Sequence, residues 1–137
     1  MVDQKEIAGI FNDFRNLYIG KSELGIRQLL EKYKNHPVLM GLFSNMDEAV
    51  KLQIPQTMKE VYDFYKKYRG RELEDKDWEN VSEEANRMIK EKDNNFWYRR
   101  MVLEMVTLLD KDDHERRQIA KEVEKEMEAA IQEMDAA

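Results

Sequence analysis

Apolar residues recur along the chain at steps of three and four, and the recurrence breaks at a few sharp points. Ile7, Ile10, Phe11, Phe14, Leu17 and Tyr18 share one helical face. They predict a helix from Asp3 to about Ile19, opened by Asp3 with Glu6 three residues on and stopped by Gly20. A second helix begins at Ser22, with Ile26, Leu29, Leu30 and Tyr33 inward, and ends before Pro37 because a residue preceding proline avoids the α region. "PVLMGLF" reads as a short third helix with Pro37 in its first turn. A fourth starts at Ser44 or Asn45 and turns Met46, Val50 and Leu52 inward. Pro55 to Gly70 makes a fifth, with Met58, Val61, Tyr62, Tyr65 and Tyr68 as its stripe. Asp75 or Asp77 caps a sixth, carrying Trp78, Val81, Ala85, Met88 and Ile89. After the turn signal "KDNN", the segment "FWYRRMVLEMVTLL" is the most apolar of the chain and predicts the central core helix.

"DKDDHERR" then interrupts the stripe. Beyond it Ile119, Val123, Met127, Ala130, Ile131 and Met134 form a thin seam on an otherwise Lys- and Glu-rich segment. This tail either continues the preceding helix or restarts at Asp112 or Asp113. The pattern predicts an all-α fold: a compact bundle of six to eight helices with a long acidic C-terminal helix. Phe14, Leu29, Leu30, Tyr62, Trp97, Met101, Met105 and Leu109 are its expected core. The expected organisation is a helical core over 1–111 and an acidic helix over 112–137. A narrow stripe buries little area, so the acidic helix is expected to be the least tightly held part, protruding or loosely packed until a second chain covers it.

Two stretches suggest an internal repeat. "DFRNLYIGK" and "DFYKKYRGR" both run acid, Phe, three residues, Tyr, one residue, Gly, base, at an offset of fifty. Downstream, "LLEKYKNHPVLMGLF" matches "MIKEKDNNFWYRRMV" in outline at an offset of fifty-nine. Two related halves, about 7–52 and 57–111, would explain both. Coincidence between amphipathic helices ending in glycine is the competing explanation. The shared residues are core aromatics and helix stops, so a repeat here concerns packing, not catalysis.

Composition narrows the chemistry. The chain of 137 residues has no Cys, which removes disulfides, thiolate nucleophiles and Cys-based zinc sites. Its start lacks the basic and apolar regions of a signal peptide, and no apolar run reaches the roughly 18 residues of a membrane span, so a cytoplasmic setting is expected. Residues 101–137 hold five bases and eleven acids, which is the whole of the net charge of −6. An acidic surface disfavours phosphate backbones and suits a basic partner.

Candidate sites fail part by part. His36 and His114 have no partner at helical spacing. "DKDDHE" and "DKDWEN" open like calcium loops but lack the glycine at the sixth position and the glutamate at the twelfth, so their Asp residues read as helix caps. No nucleophile elbow or glycine-rich phosphate loop is present. Glu104 lies within the apolar helix, where a salt bridge to Arg100 or a nearby Lys is the expected role and a buried acid of raised pKa the alternative. "FYKKYRGR" interleaves bases with rings as a nucleic-acid site would, but helical spacing turns Tyr65 and Tyr68 inward, and four acids follow at once. Arg99 and Arg100 lie off the main stripe, beside Trp97 and Tyr98, and are candidates for contact with a partner.

The segment from Tyr62 to Lys111 resembles short uncharacterised bacterial proteins of prophage and mobile-element type. The shared features are the Tyr68-Arg69-Gly70 turn, the Asp75-x-Asp77-Trp78 helix start and the Asn94-Asn95 turn before an apolar helix. The resemblance implies a small helical protein and no particular activity. Taken together, the residues lead to a non-enzymatic interaction or accessory protein, with no cofactor or metal. Its partner-binding candidates are Arg99, Arg100, Ile119, Val123, Met127 and Ile131, the last four serving a protein partner or self-association. The alternative is an acidic inhibitor or regulator that occupies the basic, nucleic-acid-binding groove of another protein.

Overall fold

A computed structural model describes residues 2–136. Among them are seven helices and no strand: α1 (Gln4–Tyr18), α2 (Ile26–Lys32), α3 (Pro37–Phe43), α4 (Met46–Ala49), α5 (Ile54–Tyr68), α6 (Asp75–Glu91) and α7 (Phe96–Ala136). The first half of α7 is the central element. It packs against α3, α4, α5 and α6, while α1 closes the bundle against α3 and α5.

The core is built largely where the periodicity places it. Phe14, Leu29, Trp97, Met101, Met105 and Leu109 are buried, whereas Leu30 and Tyr62 are only partly covered. Phe64 is buried as well, although it lies off the expected α5 stripe. The reason is geometric: α5 is sandwiched between α1 and α7, so a wider arc of it is enclosed than a one-sided stripe provides. Of the residues expected inward on the bundle helices, Tyr18 in the last turn of α1, Ile26 and Val50 face water. Ile26 is exposed because Ser22 does not start a helix; its hydroxyl bonds the backbone of Leu24, which delays α2 to Gly25. Val50 is exposed because α4 lasts a single turn.

The two matched stretches adopt matching backbones. α1 and α5 are each 15 residues long and start fifty residues apart, and each runs out at a left-handed glycine, Gly20 at φ 76° and Gly70 at φ 78°. Lys34–Asn35 and Asp93–Asn94, fifty-nine apart, are both left-handed pairs. Their bonds correspond too: Asn35 N–H donates to Leu30 O at 2.9 Å, and Asn94 N–H to Ile89 O at 3.1 Å. Each turn delivers a side-chain cap to the next helix, His36 Nδ1 accepting from Val38 N–H and Asn95 Oδ1 from Tyr98 N–H.

The start of α7 ties down its neighbours. Trp97 Nε1–H donates to Leu42 O at 2.9 Å, and Asn95 Nδ2–H to Glu48 O at 2.9 Å. The first bond satisfies a carbonyl in the last turn of α3, and the second is an additional bond to Glu48 O, which also accepts from Lys51 N–H at 3.2 Å.

Three of the six tyrosines are built into the interior with their hydroxyls protonated. Burial pushes Tyr65, Tyr68 and Tyr98 up to about 12; the bond Tyr68 donates to Glu84 adds to its shift, and Glu60 and Glu91 add to that of Tyr98. Unfolded tyrosine titrates near 10. A raised folded value means that this stabilisation is complete below about 10 and is lost as pH rises through about 12. Tyrosinate absorbance should therefore rise in two phases, the second coinciding with loss of helical circular dichroism. A single phase near 10 with helicity intact would contradict the burial of these rings.

Candidate functional site

α7 is one uninterrupted helix of 41 residues, about 60 Å long. The segment "DKDDHERR" does not break it, and its carboxylates are not caps. Asp112 and Asp113 lie in mid-helix and are 2% and 8% exposed. They serve a clasp that grips the loop before α6. Asp113 Oδ1 accepts from Leu73 N–H at 2.7 Å, and Arg117 Nη2 donates to Leu73 O at 2.6 Å. Arg117 Nε also binds the Asp113 carboxylate at 3.1 Å, and Arg116 Nε binds Asp112 Oδ2 at 2.7 Å. Buried carboxylates are tolerated only when paired and hydrogen-bonded, which the two arginines one turn on provide. Asp112 Oδ1 and Gln4 Nε2 are buried without a hydrogen-bond partner among the described residues. Both belong to groups around the Tyr65 hydroxyl, which donates to Gln4 Oε1.

Past the clasp the helix leaves the body. Every residue from Gln118 to Asp135 is exposed, an overhang of roughly 27 Å. Within it Ile119 is 45% exposed, Val123 49%, Met127 61%, Ile131 56% and Met134 77%. The acidic segment expected over 112–137 to protrude or pack loosely is thus exposed only from Gln118 on; its first turn, with Asp112 and Asp113 buried, is held by the clasp. The seam is not a separate pattern. Trp97, Met101, Met105, Leu108, Asp112, Arg116, Ile119, Val123, Met127, Ala130 and Met134 follow one another at steps of 4, 4 and 3 throughout. This is an 11-residue period, close to that of a straight helix, so all of them share one face. Its first part is buried in the bundle, the clasp occupies its middle, and the remainder continues exposed.

Arg99 and Arg100 are placed elsewhere. They precede the seam by about twenty residues, roughly 30 Å, and at 3.6 residues per turn they lie away from its face. The two groups of partner-binding candidates are therefore not brought together within one chain. Arg100 Nε lies 3.9 Å from Glu104 Oε1, while the Arg99 guanidinium has no carboxylate partner among the described residues. Around them Phe96 is 63% and Leu103 44% exposed, and with Asn45, Glu104 and Thr107 they line a shallow groove of about 380 Å³. Sequence reasoning passed over Phe96 and Leu103. The available signal was the 4-3-4 spacing of Phe96, Arg100, Leu103 and Thr107, a second stripe opposite the core face.

The basic aromatic segment of α5 is occupied by structural duties. Phe64, Tyr65 and Tyr68 are buried, so their faces are not available for stacking. Lys66 pairs with Asp63, Lys67 with Glu84 and Arg71 with Asp77, and Arg69 donates to the Tyr62 hydroxyl. A second groove, of about 410 Å³ between α1 and α5, has Phe11, Met58 and Tyr62 as its floor and Arg15, Lys59 and Lys66 on its rim. Among the described residues, no three His, Cys, Asp or Glu side chains converge as metal ligands would, and no helix is long and apolar enough to cross a membrane.

Comparison with known proteins adds no relative: no family model, curated protein or solved structure matches this chain.

Proposed function

We propose that this chain is a non-enzymatic helical interaction protein, an accessory factor whose working part is the overhanging end of α7. One observation carries the reading. The face that α7 buries against the bundle runs on past Arg117 as an apolar seam that no element among the described residues covers. Burying a large aliphatic side chain is worth roughly 1.5–3 kcal/mol, so four such residues on a presented helix are a substantial store of docking energy. The clasp gives the overhang a rigid root, which lowers the ordering cost that a flexible tail would pay on binding. The use of His36 as a helix cap and of the buried acids as clasp members fits a molecule whose polar groups serve architecture.

A second reading, an acidic inhibitor filling a basic groove, draws support from the tip, where Glu126, Glu128, Glu133 and Asp135 stand without a base. Such mimicry depends on charge and weakens steeply with salt, whereas apolar docking does not. Affinity capture tests the proposal. The intact chain and the double variant Val123→Glu/Met127→Glu are used as baits in extract of the source cells, at low and at raised salt. The intact chain should retain a partner that the variant loses, with capture persisting at raised salt. Equal capture by both baits would refute a role for the seam, and capture lost on adding salt alone would favour the inhibitor reading.

A further inference from the structure

We propose that the seam of one copy docks on the Phe96–Leu103 surface of a second copy, so that the chain associates head to tail. The inference rests on the reading of the overhang as a docking helix and names its partner.

Charge decides against the simplest alternative, two seams pairing with each other. On the 11-residue period Glu122, Glu126 and Glu133 flank the seam on one side, and Glu124 and Asp135 on the other. Lys121 and Lys125 fall on the opposite face of the helix. Two such seams would face each other across rows of acids, in either orientation, with no base between them. Like charges held this close oppose association. The seam requires an apolar surface edged with cations.

Two grooves among the described residues fit that description, and they differ in what remains open to a partner. The groove between α1 and α5 has a floor already covered, Phe11 being 7% and Met58 4% exposed. Two of its cations, Lys59 and Lys66, share Asp63, and the third, Arg15, donates to Asn12 Oδ1 at 3.0 Å. The α7 surface keeps Phe96 and Leu103 in water and, beside the Arg100–Glu104 pair, carries Arg99 without a carboxylate partner among the described residues. It has both apolar area to lose and a cation to pair. Its length suits as well. Phe96 to Thr107 spans eleven residues, which is one period of the seam, the distance from Val123 to Met134. Arg99 and Arg100 would then lie among Glu122, Glu124, Glu126 and Glu133 of the docked helix.

The donor and acceptor surfaces stand at opposite ends and on different faces of one straight helix. A copy cannot fill its own site, and the contact is heterologous, so it leaves a free surface at each end. A patch of this size is at the small end of protein interfaces, which implies weak association that grows with concentration.

Sedimentation velocity of the full chain over a concentration series tests this. The weight-average mass should rise with concentration and pass that of a dimer. Val123→Glu/Met127→Glu removes the seam, and Phe96→Ala/Arg99→Glu removes the acceptor; each variant alone should remain monomeric, with a melting temperature showing that it is folded. Their equimolar mixture should regain association and stop at a one-to-one dimer, because one intact seam and one intact acceptor remain. A monomer at every concentration, or a folded mixture that fails to associate, would overturn the proposal. If the Phe96→Ala/Arg99→Glu chain self-associates like the original, the acceptor is wrong. If the chain is monomeric while capture from extract still depends on Val123 and Met127, the head-to-tail inference fails and the docking role of the seam stands.

Discussion

Trp97→Ala should be the most damaging single change in this protein, lowering its stability by about 4–6 kcal/mol. Trp97 is fully buried at the start of α7, and replacing such a ring by a methyl group typically costs about 3–5 kcal/mol in lost burial and residual cavity. The indole N–H also closes the end of α3 through Leu42 O, and stranding a buried carbonyl adds about 1–3 kcal/mol. Folded domains have only about 5–15 kcal/mol in hand, so the variant should be largely unfolded or molten at ordinary temperature. Trp97→Phe separates the two contributions. It keeps most of the ring and loses the hydrogen bond, and should cost about 1–3 kcal/mol. Denaturant melts followed by circular dichroism measure both. A loss below about 2 kcal/mol for Trp97→Ala would mean that α7 is not anchored through this residue.

The anchoring of α7 shows what could be read in the sequence and what could not. The 3.6-residue pattern locates the helices because burial of a face is what selects it, and Met101, Met105 and Leu109 are buried accordingly. It fails where a polar group does the work of an apolar one. Asp112 and Arg116 occupy positions on the buried face, but by hydropathy they read as a gap, and Asp112 and Asp113 as caps. Only the approach of Leu73, about forty residues away in sequence, makes them a clasp. Local cues also misplace short elements: Ser22 looks like a helix cap and instead closes a turn on Leu24.

For the candidate site the same division holds. The residues of the seam were legible, because a narrow stripe between acids stands out in any helical projection. That the seam prolongs the core face of α7, and that it has no cover, depends on where the bundle ends. Phe96 and Leu103 illustrate the converse: they lie in the most apolar segment and so read as core, and their exposure follows from the 4-3-4 stripe opposite the core face being left uncovered by the bundle.

The overhang can be tested by hydrogen exchange on the dilute chain, read residue by residue along α7. Amides of Met101 to Leu109 lie within the core and should open only with much of the bundle, at a cost near the global stability. Amides of Gln118 to Asp135 belong to a stretch of helix whose described residues are all exposed, with only Ile119 and Ala120 at its root beside Glu72, and its end frays at little cost because an isolated stretch of this length is marginal in water. Each 1.4 kcal/mol of difference in opening free energy is a factor of ten in exchange. The predicted result is a step at the clasp, with amides beyond Arg117 exchanging at least about a thousandfold faster than those before Asp112. Uniform slow exchange through Asp135 in the monomer would show that the seam is packed on the protein's own body, and would contradict its assignment as a free docking face.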